Sequence, residues 1–183
     1  SIHWSVKCED NKMISEQLEI IIQKAFDLAK RKKHEFLTLE HLLFELCNDH
    51  EVLTFFKSKS INTEAILKDL EAYIEKKLKN IVVNEEIKPI PSMSFERVLK
   101  RAAQHVQSSR KGEVKTLNIL VAMFSERDSF AVYFLEKQNL SRLDIVSYVS
   151  HEKNKSNFQE VNQTLKDDEN LQEDSNNILE KYC

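Results

Sequence analysis

Two stretches of the sequence decide the fold, HEFLTLEHLLFEL at residues 34–46 and GEVKTLNILVAMF at residues 112–124. When the second is laid over the first at an offset of 78 residues, Thr38 meets Thr116 and most apolar positions coincide. Apolar residues recur in each stretch at intervals of three and four, which is typical of the buried face of a helix. An internal repeat of this length indicates that one structural unit occurs twice.

The helical period extends outward from both stretches. In the first copy it predicts helices that begin after Ser15, at Thr38, near residue 50 and near residue 62. In the second copy it predicts helices that begin after Ser94, at Thr116, near residue 128 and after Ser141, the later part at an offset of 79. Since four helices alone cannot bury these apolar faces, we predict an all-α, eight-helix domain over 13–151. It consists of two pseudo-twofold-related four-helix repeats, about 14–78 and about 94–151.

Composition supports a helical fold and excludes several functions. Gly112 is the only glycine, and Pro89 and Pro91 are the only prolines, whereas sheet proteins use many such residues in their turns. One glycine cannot build a loop that cradles phosphates, because those loops need several. We therefore expect no nucleotide, no cofactor and no enzymatic activity in this chain by itself.

Charge and cysteine usage limit the partners and the compartment. Residues 152–183 carry eight acidic and four basic side chains, so the rest of the chain is close to neutral and is a poor candidate for binding nucleic acid. The three cysteines are far apart, which is typical of a reducing compartment such as the cytoplasm. No apolar run is long enough to span a membrane, and we expect a monomer without membrane contact.

The two ends of the chain lack the apolar period. Residues 1–12 are interpreted as an extension or tag, since Met13 looks like a natural start. Residues 152–175 are polar and acidic, and such a segment cannot repay the entropy of ordering it, so we predict a disordered, flexible linker there.

Several motifs resemble one family closely. The strings HEFLTLEHLL, SFERVLKRAAQHVQSS, LNILVAMFSE and LSRLDIVSYVSH resemble the N-domain of ClpA-type AAA+ Hsp100 unfoldases, over about 13–151. The end of the chain, NNILEKYC at 176–183, resembles the start of the first ATPase module of that family.

The resemblance implies a function in recruitment. Such an N-domain binds the small adaptor ClpS, which delivers substrates with destabilising N-terminal residues, and it also engages some protein substrates. ATP and magnesium, and the ClpP protease, belong to the full-length hexamer. By motif position the adaptor-binding residues are Glu35 and Glu40, with His34, Thr38 and His41 nearby as further candidates.

The second copy differs at this site. The offset of 78 places Glu113 opposite Glu35, but it places Asn118 opposite Glu40. This asymmetry fits a binding face on one copy only. Glu40 also has a structural interpretation, because an acid at the second position of a helix stabilises the helix dipole by a few tenths of a kcal/mol.

Other interpretations of the motifs are weaker. His34 and His41 are not spaced as HExxH and lie across a loop-to-helix junction, so we expect no metal site. Cys47 and His50 lack an oxyanion site and a third group to orient them, so we expect no catalytic pair. The alternative function is adaptor-independent binding of unfolded substrate segments, or regulation of the unfoldase.

Overall fold

The computed structural model describes residues 13–76, 78, 86, 88–108 and 112–182. These residues fall into two compact units, which divide between Ile145 and Val146. The first unit contains the repeats. Its described residues form helices and two strands of two residues each, so the predicted all-α fold class is confirmed. Its first repeat contains α1 (Glu16–Arg31), β1 (Phe36–Leu37), α2 (Leu39–Leu46), α3 (His50–Ser58) and α4 (Thr63–Lys76). The second repeat contains β2 (Ile90–Pro91), α5 (Met93–Ser108), α6 (Thr116–Met123), α7 (Phe130–Lys137) and the start of α8 (Arg142–Tyr182).

The first helix of each repeat begins at a serine. The Ser15 hydroxyl accepts the Leu18 N–H at 3.2 Å, and the Ser92 hydroxyl accepts the Phe95 N–H at 3.2 Å. Each hydroxyl satisfies a backbone donor that the first turn of a helix leaves free. The predicted cap at Ser94 was therefore wrong, because β2 ends at Pro91 and α5 begins directly after Ser92.

The repeat has a different register from the one that sequence identity suggested. α1 and α5 are each 16 residues long, α2 and α6 are each 8 residues long, and the members of both pairs are separated by 77 residues. The offset of 78 was therefore wrong in this part of the chain, and Glu113 corresponds to Phe36 rather than to Glu35. A slip of one residue still lays apolar residues on apolar residues, so identity alone could not detect it.

The later half of each repeat follows the predicted offset of 79. Ser60 and Asn139 both have a left-handed backbone, with φ of 54° and 59°, at the turns that follow α3 and α7. Ile66 and Ile145 are both completely buried. The predicted match between these two isoleucines is confirmed.

The two repeats exchange backbone segments. Ile14, just before α1, pairs in parallel with Val114, just before α6. In the equivalent place, β2 of the second repeat pairs in parallel with β1 of the first. Corresponding hydrogen bonds run from Ser15 N–H to the Val114 carbonyl and from Ser92 N–H to the Leu37 carbonyl, each at 2.9 Å. Each short strand pair therefore contains one segment from each repeat.

A buried carboxylate also joins the repeats. Asp49 begins α3, where its Oδ2 accepts the Val52 N–H at 3.2 Å. The same oxygen accepts the hydroxyl of Thr116, the first residue of α6, at 2.9 Å. Asp49 thus lies between the N-termini of two helices, one from each repeat, where the helix dipoles favour a negative charge.

The helix α8 extends much further than the apolar period. The segment 152–175 was predicted to be disordered, but the structure shows helix as far as Tyr182. No glycine or proline interrupts residues 142–182, and their many Glu, Lys, Gln and Leu residues favour helix. Residues 151–159 and 161–163 are nevertheless exposed. The functional division into a linker and an ATPase start stays a prediction, and residues 1–12 lie outside the described part of the chain.

No helix in the described residues is both long and apolar enough to cross a membrane.

The link through Asp49 predicts coupled losses of stability. Asp49→Ala removes a helix cap and a hydrogen bond to a charged acceptor, so we expect the free energy of unfolding to fall by about 2–3 kcal/mol. Thr116→Val removes only the bond between repeats and should cost about 1–2 kcal/mol. Urea unfolding of both variants and of the double variant should give a coupling energy of about 1 kcal/mol.

Ser129 provides the control for this cycle, because its hydroxyl caps α7 within one repeat. Ser129→Ala should cost about 1 kcal/mol and add to the loss at Thr116 without coupling. Strict additivity at Asp49 and Thr116 would contradict the proposed link.

Candidate functional site

The predicted site residues lie around the N-terminus of α2. Thr38 is the N-cap, and His41 is the third residue of the helix. The Nδ1 atom of His41 accepts the Thr38 backbone N–H at 3.0 Å and lies 2.9 Å from the Thr38 hydroxyl. The ring therefore satisfies the donor at the helix start, as a glutamate or glutamine does in a capping box.

The two histidines share one buried hydrogen bond. A backbone N–H can only donate, so Nδ1 of His41 is an acceptor and the ring proton lies on Nε2. Nε2 of His41 then donates to Nδ1 of His34 at 2.8 Å. Both side chains are buried. The bond connects the chain between α1 and β1 with the first turn of α2.

Burial keeps this pair neutral. Desolvation, and to a smaller extent the neighbouring His34, lower the pKa of His41 to about 3. Desolvation also lowers the pKa of His34, although the Glu75 carboxylate acts in the opposite direction. Within the described residues, no three His, Cys, Asp or Glu side chains are grouped so that they could hold a metal ion.

Glu40 is buried and bound to the second repeat. Its Oε1 accepts the backbone N–H of Phe130, the first residue of α7, at 3.0 Å. Since Glu40 is also the second residue of α2, its carboxylate lies between the N-termini of two helices. This arrangement resembles that of Asp49 between α3 and α6. The structure therefore supports a structural role for Glu40, whose carboxylate stabilises the N-terminus of α7 as well as that of α2.

Glu35 differs from Glu40 in its exposure and in its side-chain contacts. It is partly exposed, and its backbone carbonyl accepts the Ile90 N–H at 2.9 Å, which fixes the backbone beside β2. Among the described residues, no hydrogen bond or ion pair of its carboxylate is found. Of the two predicted acids, Glu35 is therefore the one that can reach a partner.

An aromatic cluster beside Glu40 was not predicted. It combines rings of α4 and α7, with centroid distances of 4.7 Å between Tyr73 and Phe130 and 6.4 Å between Phe130 and Tyr133. Phe130 is 43% exposed and Tyr133 is 57% exposed. Desolvation, and then the Glu40 carboxylate, raise the pKa of Tyr73 to about 12. The sequence signal was the run FAVYF at 130–134, which has more large apolar residues than one helix face can bury.

The structure thus brings four of the five predicted residues together. His34, Thr38 and His41 form one hydrogen-bonded group, and Glu40 lies in the same first turn of α2. Glu35 adjoins this group along the chain but extends from the surface. Their roles in binding stay predictions.

Comparison with known proteins identifies relatives of most of the repeat region. Residues 13–138 match a family described as the Clp repeat (R) N-terminal domain. A ClpA homolog protein from Fuscovulum blasticum is 41% identical over 138 residues, which are 75% of this chain and 17% of that protein. The chain therefore spans about a sixth of the length of that relative.

Solved structures agree on the fold. The Hsp104 N-terminal domain from Candida albicans has a TM-score of 0.62 at 19% identity, and the match covers 73% of this chain and 87% of that one. A ClpV N-domain in complex with a VipB peptide has a TM-score of 0.55 at 18% identity, and the match covers 73% and 82% of the two chains. At these identities the likeness concerns the fold alone.

The histidine pair predicts that acid destabilises the fold. In the unfolded chain a histidine takes up a proton near pH 6.5, whereas folded His41 stays neutral down to about pH 3. The free energy of folding that neutral His41 contributes is therefore fully present above pH 6.5, and it is lost progressively as the pH falls below that value. We expect urea unfolding to show a loss of about 2 kcal/mol between pH 7 and pH 5 from this residue.

The matched variant is His41→Asn, because the second repeat has Asn118 at the equivalent position. The Asn118 Oδ1 accepts the N–H of Lys115, the N-cap of α6, at 2.8 Å. The variant should keep the capping bond, lose about 1–3 kcal/mol at pH 7 with the bond to His34, and show a shallower pH dependence. If the free energy of unfolding depended on pH equally in the wild type and in His41→Asn, the pH effect could not be assigned to His41.

Proposed function

The chain belongs to the Clp repeat N-terminal domain family, and from that premise we propose that it recruits a ClpS-like adaptor to an ATP-dependent Clp unfoldase. Domains of this family are non-catalytic parts of AAA+ ATPases. In this proposal the domain binds the adaptor and helps to deliver protein substrates for unfolding and degradation.

The wider assignment concerns the full-length parent. We propose that it works in the cytoplasm as a hexamer, with ATP and magnesium bound by its ATPase modules and with ClpP as the protease that receives the substrate. The recruitment domain itself would need no cofactor. The 41% identity to a ClpA homolog supports this choice within the family.

The single observation that supports adaptor binding best is the position of Glu35. Its carboxylate is partly exposed, and no described residue pairs with it. It adjoins the rigid group of Thr38, His34 and His41, so its backbone is held in place before any partner binds. A fixed acid at a surface suits a cationic side chain on the adaptor.

Glu40 would act differently from Glu35 in this proposal. Its carboxylate already accepts the Phe130 N–H, and the side chain is buried. We propose that Glu40 is a positioning residue, which holds the N-terminus of α7 and with it the exposed rings of Phe130 and Tyr133. The carboxylate would support the adaptor face without forming an ion pair with the adaptor.

Direct binding of unfolded substrate is the second candidate. The exposed Phe130 and Tyr133 favour it, because exposed apolar groups can hold an unfolded segment. The structure of a ClpV N-domain with a VipB peptide supports the idea that this fold accommodates a peptide. Titration with an unfolded model protein, in the absence of adaptor, separates this activity from adaptor binding.

Charge reversal at Glu35 tests the proposal. The Glu35→Lys variant brings like charges together and leaves the adaptor cation unpaired, so we expect the affinity for a ClpS-like adaptor of the same organism to fall about 30-fold or more. The melting temperature should not change, because the Glu35 carboxylate has no hydrogen-bond or ion-pair partner among the described residues. Isothermal titration calorimetry and thermal melting measure the two effects.

Two further variants complete this test. Glu40→Gln keeps an oxygen that can accept the Phe130 N–H, so a positioning role predicts an affinity within about threefold of the wild type. Glu113→Lys is the control, because this exposed acid lies in the second repeat, one position beyond the equivalent of Glu35. Full affinity in Glu35→Lys would reject the site, and a large loss in Glu40→Gln at unchanged stability would assign a direct ionic contact to Glu40.

A further inference from the structure

The aromatic cluster of α4 and α7 is fixed at its inner side and exposed at its outer side. Tyr73 packs against buried apolar side chains of the first repeat, among them Leu28 and Leu78. Its ring centroid lies 4.7 Å from that of Phe130, which lies 6.4 Å from that of Tyr133. Phe130 and Tyr133 are nevertheless 43% and 57% exposed. Rings that are held in place before binding lose little conformational freedom when a partner covers them.

The first repeat shows that this type of helix start does not require an aromatic ring. Asp49 caps α3 as Ser129 caps α7, since each side chain accepts the N–H of the third residue beyond it at 3.2 Å. The residue directly after each cap is exposed, but it is His50 in α3 and Phe130 in α7. Equivalent positions therefore carry a polar residue in one repeat and a large apolar residue in the other, so folding does not explain the exposed ring of Phe130.

The charges along α7 favour a cation on the partner. Glu136 is exposed and lies one helical turn beyond the last ring of the cluster. The neighbouring base, Lys137, already donates to the carboxylate of Asp69 at 3.1 Å. Before the helix, Arg127 and Asp128 are adjacent, exposed and opposite in charge. An acid on the partner would be repelled by Glu136, whereas a lysine or arginine would be attracted.

The Glu40 carboxylate acts in the same direction from the inner side of the cluster. It accepts the Phe130 N–H at 3.0 Å, so it lies directly behind the rings. Desolvation, and then the charge of this carboxylate, raise the pKa of Tyr73, which shows that the charge acts on the cluster. The faces of aromatic rings also attract cations. Rings and carboxylates together therefore suit a segment that combines apolar side chains with a positive charge.

We propose that the aromatic cluster is a second binding site of this domain, which holds a segment of unfolded polypeptide that carries aromatic or large apolar side chains together with a lysine or arginine and lacks acidic residues. The rings contact the apolar side chains, and Glu136 and Glu40 set the preference for positive charge. This inference rests on direct binding of unfolded substrate, the second candidate function, and it specifies the chemistry of the segments.

Peptide titration of the full chain tests this site. The probe is a short fluorescein-labelled peptide of glycine and serine with two phenylalanines and two lysines, and a second probe carries glutamates in place of the lysines. We expect fluorescence anisotropy to show about tenfold tighter binding of the lysine probe. Tyr133→Ser and Phe130→Ser should each lower the affinity for the lysine probe about tenfold.

Leu53→Ser is the matched control for Tyr133→Ser. Leu53 is the fourth residue of α3, as Tyr133 is the fourth residue of α7, and it is 38% exposed. This variant should bind the lysine probe as the wild type does. Thermal melting of all three variants distinguishes loss of the site from loss of the fold.

Replacement of an acid separates the ionic contribution from the apolar one. Glu136→Gln removes a charge from an exposed side chain, so it should reduce the preference for the lysine probe over the glutamate probe about threefold. A third probe, with phenylalanines but no charged residue, should bind Glu136→Gln and the wild type equally. Tyr133→Ser should weaken the binding of this uncharged probe as well.

The possible failures are distinguishable. Binding of neither charged probe by the wild type, equal binding of both, or full affinity in Tyr133→Ser and Phe130→Ser would each overturn the site, while adaptor binding is measured separately. If Tyr133→Ser lost only affinity for the ClpS-like adaptor, the cluster would belong to the adaptor face. If it lost only self-association in sedimentation velocity, the partner would be a second copy of the chain. If the wild type bound the lysine probe as expected but no adaptor, the recruitment of an adaptor would fail and this inference would stand.

Discussion

Glu40 and Asp49 are acids that the fold removes from water, and each lies where two helices begin. Glu40 joins the start of α2 to the start of α7, and Asp49 joins the start of α3 to the start of α6. Each pair takes one helix from each repeat. The desolvation of a carboxylate is costly unless hydrogen bonds and positive dipoles compensate it, and two converging helix N-termini supply both. These two contacts thereby fix how one repeat sits on the other.

This arrangement changes the meaning of a mutation at Glu40. A lysine there would place a cation between two helix N-termini and leave the Phe130 N–H without its acceptor. Loss of binding in such a variant would report on the packing of α7 as well as on the interface. A mutation at Glu35 tests the interface more directly, because its side chain is partly exposed and forms no comparable hydrogen bond among the described residues.

The helices of the repeats were predictable because their signals are local. The apolar spacing of α1 and the caps at Ser15 and Thr38 lie within a few residues of the structures they specify. The partner of Glu40 is 90 residues away, and no periodicity encodes it. The predicted register was wrong because a shift of one residue conserves the apolar pattern. The separation of 77 residues is fixed by where the helices begin in the folded chain and by the backbone pairing at Val114. For α8, the polar composition argued against order, whereas the absence of glycine and proline permits a helix.

The exchange of strand segments has a consequence while the chain is being made. Ile14 pairs with Val114, so the backbone partner of the first helix is synthesised 100 residues later. At a synthesis rate of roughly 5–20 residues per second, that delay is about 5–20 s. Over this time the first repeat lacks the backbone partner of Ile14 and the two helices, α6 and α7, that Asp49 and Glu40 contact. A nascent chain of this kind presents to the cell, for many seconds, the type of surface that chaperones bind.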